Sequence, residues 1–304
     1  MSGTRFVVFG EALTDFIREP DGRWRSVPGG SCWNVARAAA RLGVPTGYAG
    51  GVSRDFFGDD HLRLLREAGA DLRFTQQLAR SPLLAMVWSS APPRYFFVGD
   101  DSADLNYDLS RLPAGWLEAA EIVHFGCISL VREPHATRLV QVAEQVHAAG
   151  KRICLDPNYR NLMGPEFLPR LAHLAGLADY VKVSEEDLGL IFPGLAREAA
   201  LARLRALAPR AQLLLTLGGE GMRLLTPERE LFQPAFRVEV KDTVGAGDCS
   251  MAAWMASLLT RPDAPPEEHV RLAAAAAGVV CTRAGAYAPT RDEVEALMGA
   301  QPSP

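Results

Sequence analysis

The order of apolar and polar positions changes character along the chain. Arg5-Phe-Val-Val-Phe-Gly10 is a β-branched and aromatic run that stops at glycine, which predicts a buried strand. Ser31 to Leu42 is rich in alanine and closed by Gly43 and Pro45, a helix with its stop signal. Tyr48 to Val52 reads as a strand. Asp55 to Glu67 reads as a helix, with Phe56, Leu62 and Leu65 at helical spacing and Gly69 beyond it. Residues 83–98 behave differently. Leu84, Met86 and Trp88 alternate with smaller residues, Pro92-Pro93 interrupts, and Arg94-Tyr-Phe-Phe-Val98 resumes, which is a hairpin pattern.

From residue 120 the rhythm becomes strand, helix, strand. Strands are expected at 121–126, 152–156, 179–183 and 211–217, and helices at 134–149, 165–175, 185–191 and 197–207. Two further helices, 248–260 and 267–282, follow. This alternation predicts an α/β fold with a parallel sheet covered by helices on both faces. The extended pieces at about 12–27 and 71–98 stand outside it and are expected to form a small β lid. There is no internal repeat, and only the tail Gln301-Pro-Ser-Pro304 reads as frayed. At 304 residues the chain suits two domains or one large α/β domain.

Composition narrows the function. Hydrophobic residues make up 48% and charged residues 22%, which is ordinary for a globular protein. The net charge of −4 gives no attraction for a polyanion, so no nucleic acid is expected as partner. Lys151, Lys182 and Lys241 are the three lysines; the other 29 of 32 cations are arginine. The five cysteines are widely spaced and contain no C-x-x-C pair. That argues against a disulfide framework or zinc site and for a reducing compartment, so a cytoplasmic protein is expected. No apolar run reaches the ~18 residues of a membrane span, and Met1 to Gly10 lacks the pattern of a signal peptide.

Two common nucleotide motifs are absent. The one Gly-Lys pair, Gly150-Lys151, is followed by Arg152, so there is no P-loop, and no G-x-G-x-x-G occurs. Lys241-Asp-Thr-Val-Gly-Ala-Gly-Asp248 is present instead, running into the helical stretch from Cys249. Gly245, Ala246 and Gly247 let backbone approach a bound group, and the helix start aims free N–H groups and its positive end there. Together they make an anion hole suited to a phosphoryl group. Asp248 at its edge suits a base that takes a proton from an attacking hydroxyl. It equally suits a helix N-cap after a plain turn, and spacing alone leaves both readings open.

Asp242-Thr-Val-Gly-Ala-Gly-Asp248 resembles the C-terminal signature of the ribokinase-like (PfkB) carbohydrate kinases. The N-terminal signature is matched by Gly29-Gly30-Ser-Cys-Trp-Asn34-Val-Ala36, Leu42-Gly43, Gly50-Gly51-Val52 and Asp55-Phe-Phe-Gly58. Further matches are Gly10-Glu11 with Asp15, Asp156-Pro-Asn-Tyr-Arg160, Thr216-Leu-Gly-Gly-Glu-Gly221, and Gly285-Ala286 with Pro289. The resemblance spans residues 5–298. It implies one ribokinase-like domain over 1–304, a three-layer sandwich with a mostly parallel central sheet and a small β-sheet lid.

The resemblance also implies an activity, transfer of the γ-phosphate of ATP to a sugar hydroxyl. Asp248 matches the family base, and Gly245, Ala246 and Gly247 its anion hole. Asp15, Gly29, Gly30 and Asn34 match sugar-binding positions. Trp33 is bulkier than the small residue expected there, so it either shapes the sugar pocket or packs in the core. Arg160 suits phosphate or a substrate oxygen, since a guanidinium serves both. The family's Asn-x-x-Glu is replaced by Ser184-x-x-Asp187 in Lys182-Val-Ser184-Glu-Glu-Asp187. Lys182 and Ser184 are assigned to the nucleotide, and Glu185 and Asp187 to hydrated Mg2+. Thr216, Gly218 and Gly221 match the nucleotide-binding strand and turn. Alanine near 273–281 stands where the family often has asparagine, which makes the adenine pocket mostly apolar. Some members bind a monovalent cation such as K+ through carbonyls around Asp242 and the 280s loop.

Arg94-Tyr-Phe-Phe, with Phe97, and Ser102-Ala-Asp-Leu105 resemble the lid and following segment of fructokinases, as do Glu11, Asp15 and Phe16. Fructose is therefore the expected acceptor. 2-Keto-3-deoxygluconate, ribose or a nucleoside are alternatives, and a non-catalytic sugar sensor is the competing class. Lid strands in relatives often pair two subunits, so a homodimer through the lid is expected.

Overall fold

The computed structural model describes residues 3–90 and 93–301. Its central sheet has eight strands in the order β14-β13-β12-β11-β10-β9-β1-β4. Strands β1 (Phe6–Phe9), β4 (Thr46–Ala49), β9 (Ile122–Gly126), β10 (Arg152–Asp156), β11 (Tyr180–Ser184) and β12 (Gln212–Thr216) pair in parallel. Successive residues of β1 serve opposite faces. Phe6 and Val8 enter one core while Val7 and Phe9 enter the other, so both faces need helices.

The first face carries α1 (Ser31–Arg41), α2 (Phe56–Ala68), α8 (Ala246–Thr260), α9 (Pro266–Cys281) and α10 (Arg291–Ala300). The second carries the short α3 (Trp116–Ala119), α4 (His135–Ala148), α5 (Phe167–Leu177), α6 (Glu185–Ile191) and α7 (Arg197–Leu207). This is the mixed α/β sandwich expected from the alternation of strands and helices. The parallel strands put Glu11, Cys127, Asp156, Ser184 and Thr216 at or just past their C-terminal ends, along one edge of the sheet.

A separate four-stranded sheet, in the order β3-β2-β7-β8, covers that edge. It is formed by β2 (Leu13–Arg18), β3 (Trp24–Gly29), β7 (Leu84–Ser90) and β8 (Pro93–Val98). Pro92 of the interrupting Pro-Pro pair, and the tail beyond Gln301, lie outside the described residues.

The expected second lid segment is too long. Its early part forms β6 (Gln76–Leu78), which pairs with β5 (Gly51–Ser53) away from the lid. Phe74 explains this: it is buried against Gly47, where a Cβ would lie 2.5 Å from the phenyl ring, and it ties the segment to the main body. The strand expected at 48–52 is likewise two strands. A side chain at Gly50 would strike the Tyr48 hydroxyl at 2.3 Å and the Gly10 carbonyl at 2.7 Å, so the chain bends there between β4 and β5.

Besides the short α3, two regions went unpredicted. One is the antiparallel edge hairpin of β13 (Gly221–Leu225) and β14 (Glu230–Pro234). Strand β14 is nowhere fully buried, so it carries little apolar signal. The other is α10, whose Thr290-x-x-Glu293 capping box was legible in the sequence.

Candidate active site

The edge of the sheet, the lid and the starts of α1, α6 and α8 enclose a cleft of about 850 Å3. Asp248 lies near its middle, in the first turn of α8 and only 8% exposed. The helix starts after Gly245, whose φ of +78° is left-handed and whose Cβ would lie 2.8 Å from that of Ala286. Glycine is required there by backbone conformation and by space. Ala246 and Gly247 then begin the helix; the Ala246 N–H donates to the Thr243 carbonyl at 3.2 Å, while that of Gly247 has no partner within the helix.

The Asp248 carboxylate is surrounded by donors. Ser31 Oγ donates to Oδ1 at 2.7 Å, and Asn34 Nδ2 donates to Oδ2 at 2.8 Å. Asn158 Nδ2 lies 3.3 Å from Oδ1 and donates to Ser31 Oγ at 2.6 Å. Two elements supply these groups, the first turn of α1 and the loop after β10. Gly30 sets the direction of α1. It has φ +105°, and a Cβ there would lie 2.7 Å from the Glu11 carbonyl oxygen. Glu11 is fully buried, accepts the Ser31 amide at 2.9 Å and the Ser129 hydroxyl, and has its pKa raised chiefly by burial.

Beneath the anion hole lies a buried ion pair, Lys182 Nζ to Asp156 Oδ2 at 2.8 Å, with the two side chains 3% and 0% exposed. A Cβ on Gly247 would sit 3.0 Å from that ammonium, so the bare glycine lets Lys182 reach the anion hole. Burial pushes Asp156 up to about 6, against the pull of Lys182. Burial also works against the Lys182 charge, but Asp156, Asp187 and Asp248 together hold its pKa above the ordinary value.

Asp15 and Arg160 mark the lid end of the cleft, with Leu13, Ile17, Ala85, Val87, Tyr95 and Phe97. Burial pushes Asp15 up to about 7; Arg160 pulls it down and Asp248 pushes it further up. Burial also works against the Arg160 guanidinium, and the acidic groups around it, Cys127, Tyr95, Asp187 and Asp248, more than offset that. Arg94 is exposed outside the cleft, because alternation in β8 turns Tyr95 and Phe97 inward.

The opposite end is apolar, lined by Met222, Phe236, Val238, Val240, Ala274, Ala277 and Gly278. Thr216, Gly218 and Gly221 lie here, where strand β12 ends. Asp242 ties the two loops of this end together, accepting the Val244 amide at 3.1 Å and the Gly285 amide at 2.8 Å.

Trp33 requires a correction as a sugar-pocket residue. It is fully buried, edge-on to His61 with ring centroids 4.9 Å apart, and lies 4.6 Å under the Arg37 guanidinium. Its side of α1 faces α2, whereas Ser31 and Asn34 face the cleft. Gly29 does not line the cleft either. It leaves room for Asp15, whose Oδ2 would lie 2.6 Å from a Cβ there.

Ser184 caps α6, accepting the Asp187 amide at 3.0 Å and donating to Asp187 Oδ2 at 2.7 Å. Asp187 Oδ1 accepts the Tyr159 amide at 2.9 Å. Glu185 lines the cleft while paired with Arg197 at 2.8 Å. No group of three His, Cys, Asp or Glu able to hold a metal occurs among the described residues. Asp187 and Glu185 are carboxylates lining this part of the cleft, a chemistry compatible with a hydrated Mg2+, which keeps several waters.

The remaining expected residues, Asp15, Gly30, Asn34, Phe97, Arg160, Lys182, Ser184, Glu185, Asp187, Thr216, Gly218, Gly221 and 245–248, do meet in one cleft. Ser31 and Asn158 were not singled out for the site. A small polar residue at a helix start and an Asn after Pro both read as ordinary turn chemistry.

Comparison with known proteins agrees with this geometry. A model described as "pfkB family carbohydrate kinase" matches residues 4–293. The chain is 31% identical to the fructokinase of Escherichia coli over 300 residues, covering 95% of this chain and 97% of that protein. The crystal structure of fructokinase with bound ATP from Xylella fastidiosa superimposes with a TM-score of 0.88 at 28% identity, covering 98% of this chain and 99% of that one. Fructokinase from Vibrio cholerae O395, in its fructose, ADP and calcium ion bound form, gives 0.84 at 26% identity, covering 98% and 99%.

Proposed function

The chain belongs to the pfkB family of carbohydrate kinases, and on that premise we propose that it phosphorylates free fructose from ATP, as a fructokinase. The observation that carries the reading is Asp248, held between the polar lid end of the cleft and the anion hole at the start of α8. Fructose lies toward Asp15 and Arg160, with Asn34 turning to its hydroxyls. The base of ATP lies in the apolar end and its γ-phosphate at Gly245, Ala246 and Gly247.

Asp248 takes the proton of the attacking hydroxyl. As the sugar oxygen bonds to the γ-phosphorus, the bond to the β–γ bridging oxygen breaks and ADP leaves. Lys182 and the Gly247 amide at the start of α8 hold the phosphate oxygens on which charge develops. Asp187 and Glu185 would hold a hydrated Mg2+, which would supply charge neutralisation on the phosphates. The carbonyls of the Asp242 and 280s loops would hold K+; one of them, that of Ala286, accepts from Arg37. Among the described residues no helix is long and apolar enough to cross a membrane, and the five thiols are free, which suits a cytoplasmic enzyme. Trp24, Trp88 and Phe96 are exposed on the lid, which suits pairing of two copies there.

The test is ADP release with Mg-ATP over a panel of sugars, sugar acids and nucleosides. Fructose should give the highest kcat/KM; a higher value for ribose, 2-keto-3-deoxygluconate or a nucleoside replaces the substrate, and no release with any acceptor ends the kinase reading. Asp248→Asn should cost at least about 10²-fold in kcat, the lower range for loss of a general base, while ATP still binds.

A further inference from the structure

We infer that Ser31 is a positioning residue for phosphoryl transfer: it fixes Oδ1 of Asp248, so that Oδ2 takes the proton of the sugar hydroxyl. This rests on the reading of Asp248 as the base.

The hydrogen bonds have a direction. Asn158 Nδ2 can only donate, and it gives a hydrogen to Ser31 Oγ at 2.6 Å. Ser31 therefore points its own single hydrogen at Asp248 Oδ1, 2.7 Å away. Both donors are anchored. Ser31 is 7% exposed, and its amide is tied to the buried Glu11 at 2.9 Å. Asn158 is 8% exposed and has φ +40°, a left-handed conformation that asparagine tolerates, which turns its side chain back toward α1.

Oδ2 is different. Its donor is Asn34, which also faces the cleft, and when Asn34 turns to a sugar hydroxyl Oδ2 becomes the free lone-pair site. The carboxylate is thus clamped at one oxygen and open at the other. Fixed hydrogen bonds keep the receiving atom in line without reorganisation during the reaction.

The test compares Ser31→Ala and Ser31→Thr with the unaltered enzyme, using fructose and Mg-ATP. Loss of a hydrogen bond to a charged group should lower kcat of Ser31→Ala by about 10- to 100-fold, with KM for ATP unchanged. Ser31→Thr keeps the hydroxyl and should restore the rate.

A Ser31→Ala enzyme whose kcat is unchanged overturns the proposal. So does a loss in which kcat and melting temperature fall while KM for ATP rises and Thr does not rescue, which is the mark of a purely structural role. Full turnover by Asp248→Asn would instead remove the base reading itself, whatever Ser31 does.

Discussion

Replacing Asp15 by asparagine should make the empty enzyme more stable at alkaline pH while removing sugar binding. Asp15 has its pKa pushed from the ordinary 3.8 up to about 7, first by burial and then by Asp248, with Arg160 acting the other way. From about pH 4 to about pH 7 the native carboxyl keeps a proton that the unfolded chain has released. Stability therefore falls as pH rises across that window, and the full penalty is present above it. Taken whole, the gap corresponds to roughly 4 kcal/mol. The cleft is open to water, which screens the charge, so about 1–2 kcal/mol is the reasonable figure. In a chain of this size that is roughly 2–3 °C in melting temperature.

The assay is thermal unfolding without ligands at pH 4.5 and pH 8. The variant should melt higher at pH 8, and the difference should shrink toward pH 4.5. Calorimetry should find fructose binding lost in the variant, and in the unaltered enzyme strengthening as pH rises through 7. An Asp15→Asn enzyme less stable than the unaltered one at pH 8, or a difference independent of pH, would show that the charge is not strained.

Other perturbations separate holding the fold from holding the ligands. Lys182→Met leaves Asp156 buried without its cation and should cost about 3–5 kcal/mol in denaturant unfolding. Adding Asp156→Asn should recover most of that stability but not the turnover, and recovered turnover would remove Lys182 from the phosphate site. Arg132 joins the buried Asp104 to the Gly99 carbonyl and Ser102 at the foot of the lid, 12% exposed against 3% for its partner. Arg132→Ala should cost about 3–5 kcal/mol and raise KM for fructose more than KM for ATP; equal rises would mean that the lid does not depend on this latch.

The parts legible in the sequence were those in which the backbone itself dictates the residue. Gly245 is forced by a left-handed φ and by Ala286, so the turn before Asp248 has few alternative spellings. Strands β9 to β12 are largely buried and read as mainly apolar runs, broken by His124 in β9 and Lys182 in β11. What stayed hidden depends on distant contacts. Nothing in the order Ser31-Cys-Trp-Asn34 says which side of α1 faces the cleft, so Trp33 was open between pocket and core until α2 placed His61 beside it. Ser31 and Asp248 are 217 positions apart, and no local pattern joins them. The segment at 71–78 had the extended character of a lid strand; the burial of Phe74 against Gly47 decided its partner.

The cleft is one continuous space from Asp15 to Gly221, with no wall between its polar and apolar ends. No histidine is among the residues that line it; His61, His124 and His135 are buried elsewhere in the core. Under the proposed function, sugar and nucleotide occupy it together, and the phosphoryl group is transferred directly from one to the other. A single displacement inverts the configuration at phosphorus, so a γ-phosphate made chiral with oxygen isotopes should emerge on the sugar with the opposite hand.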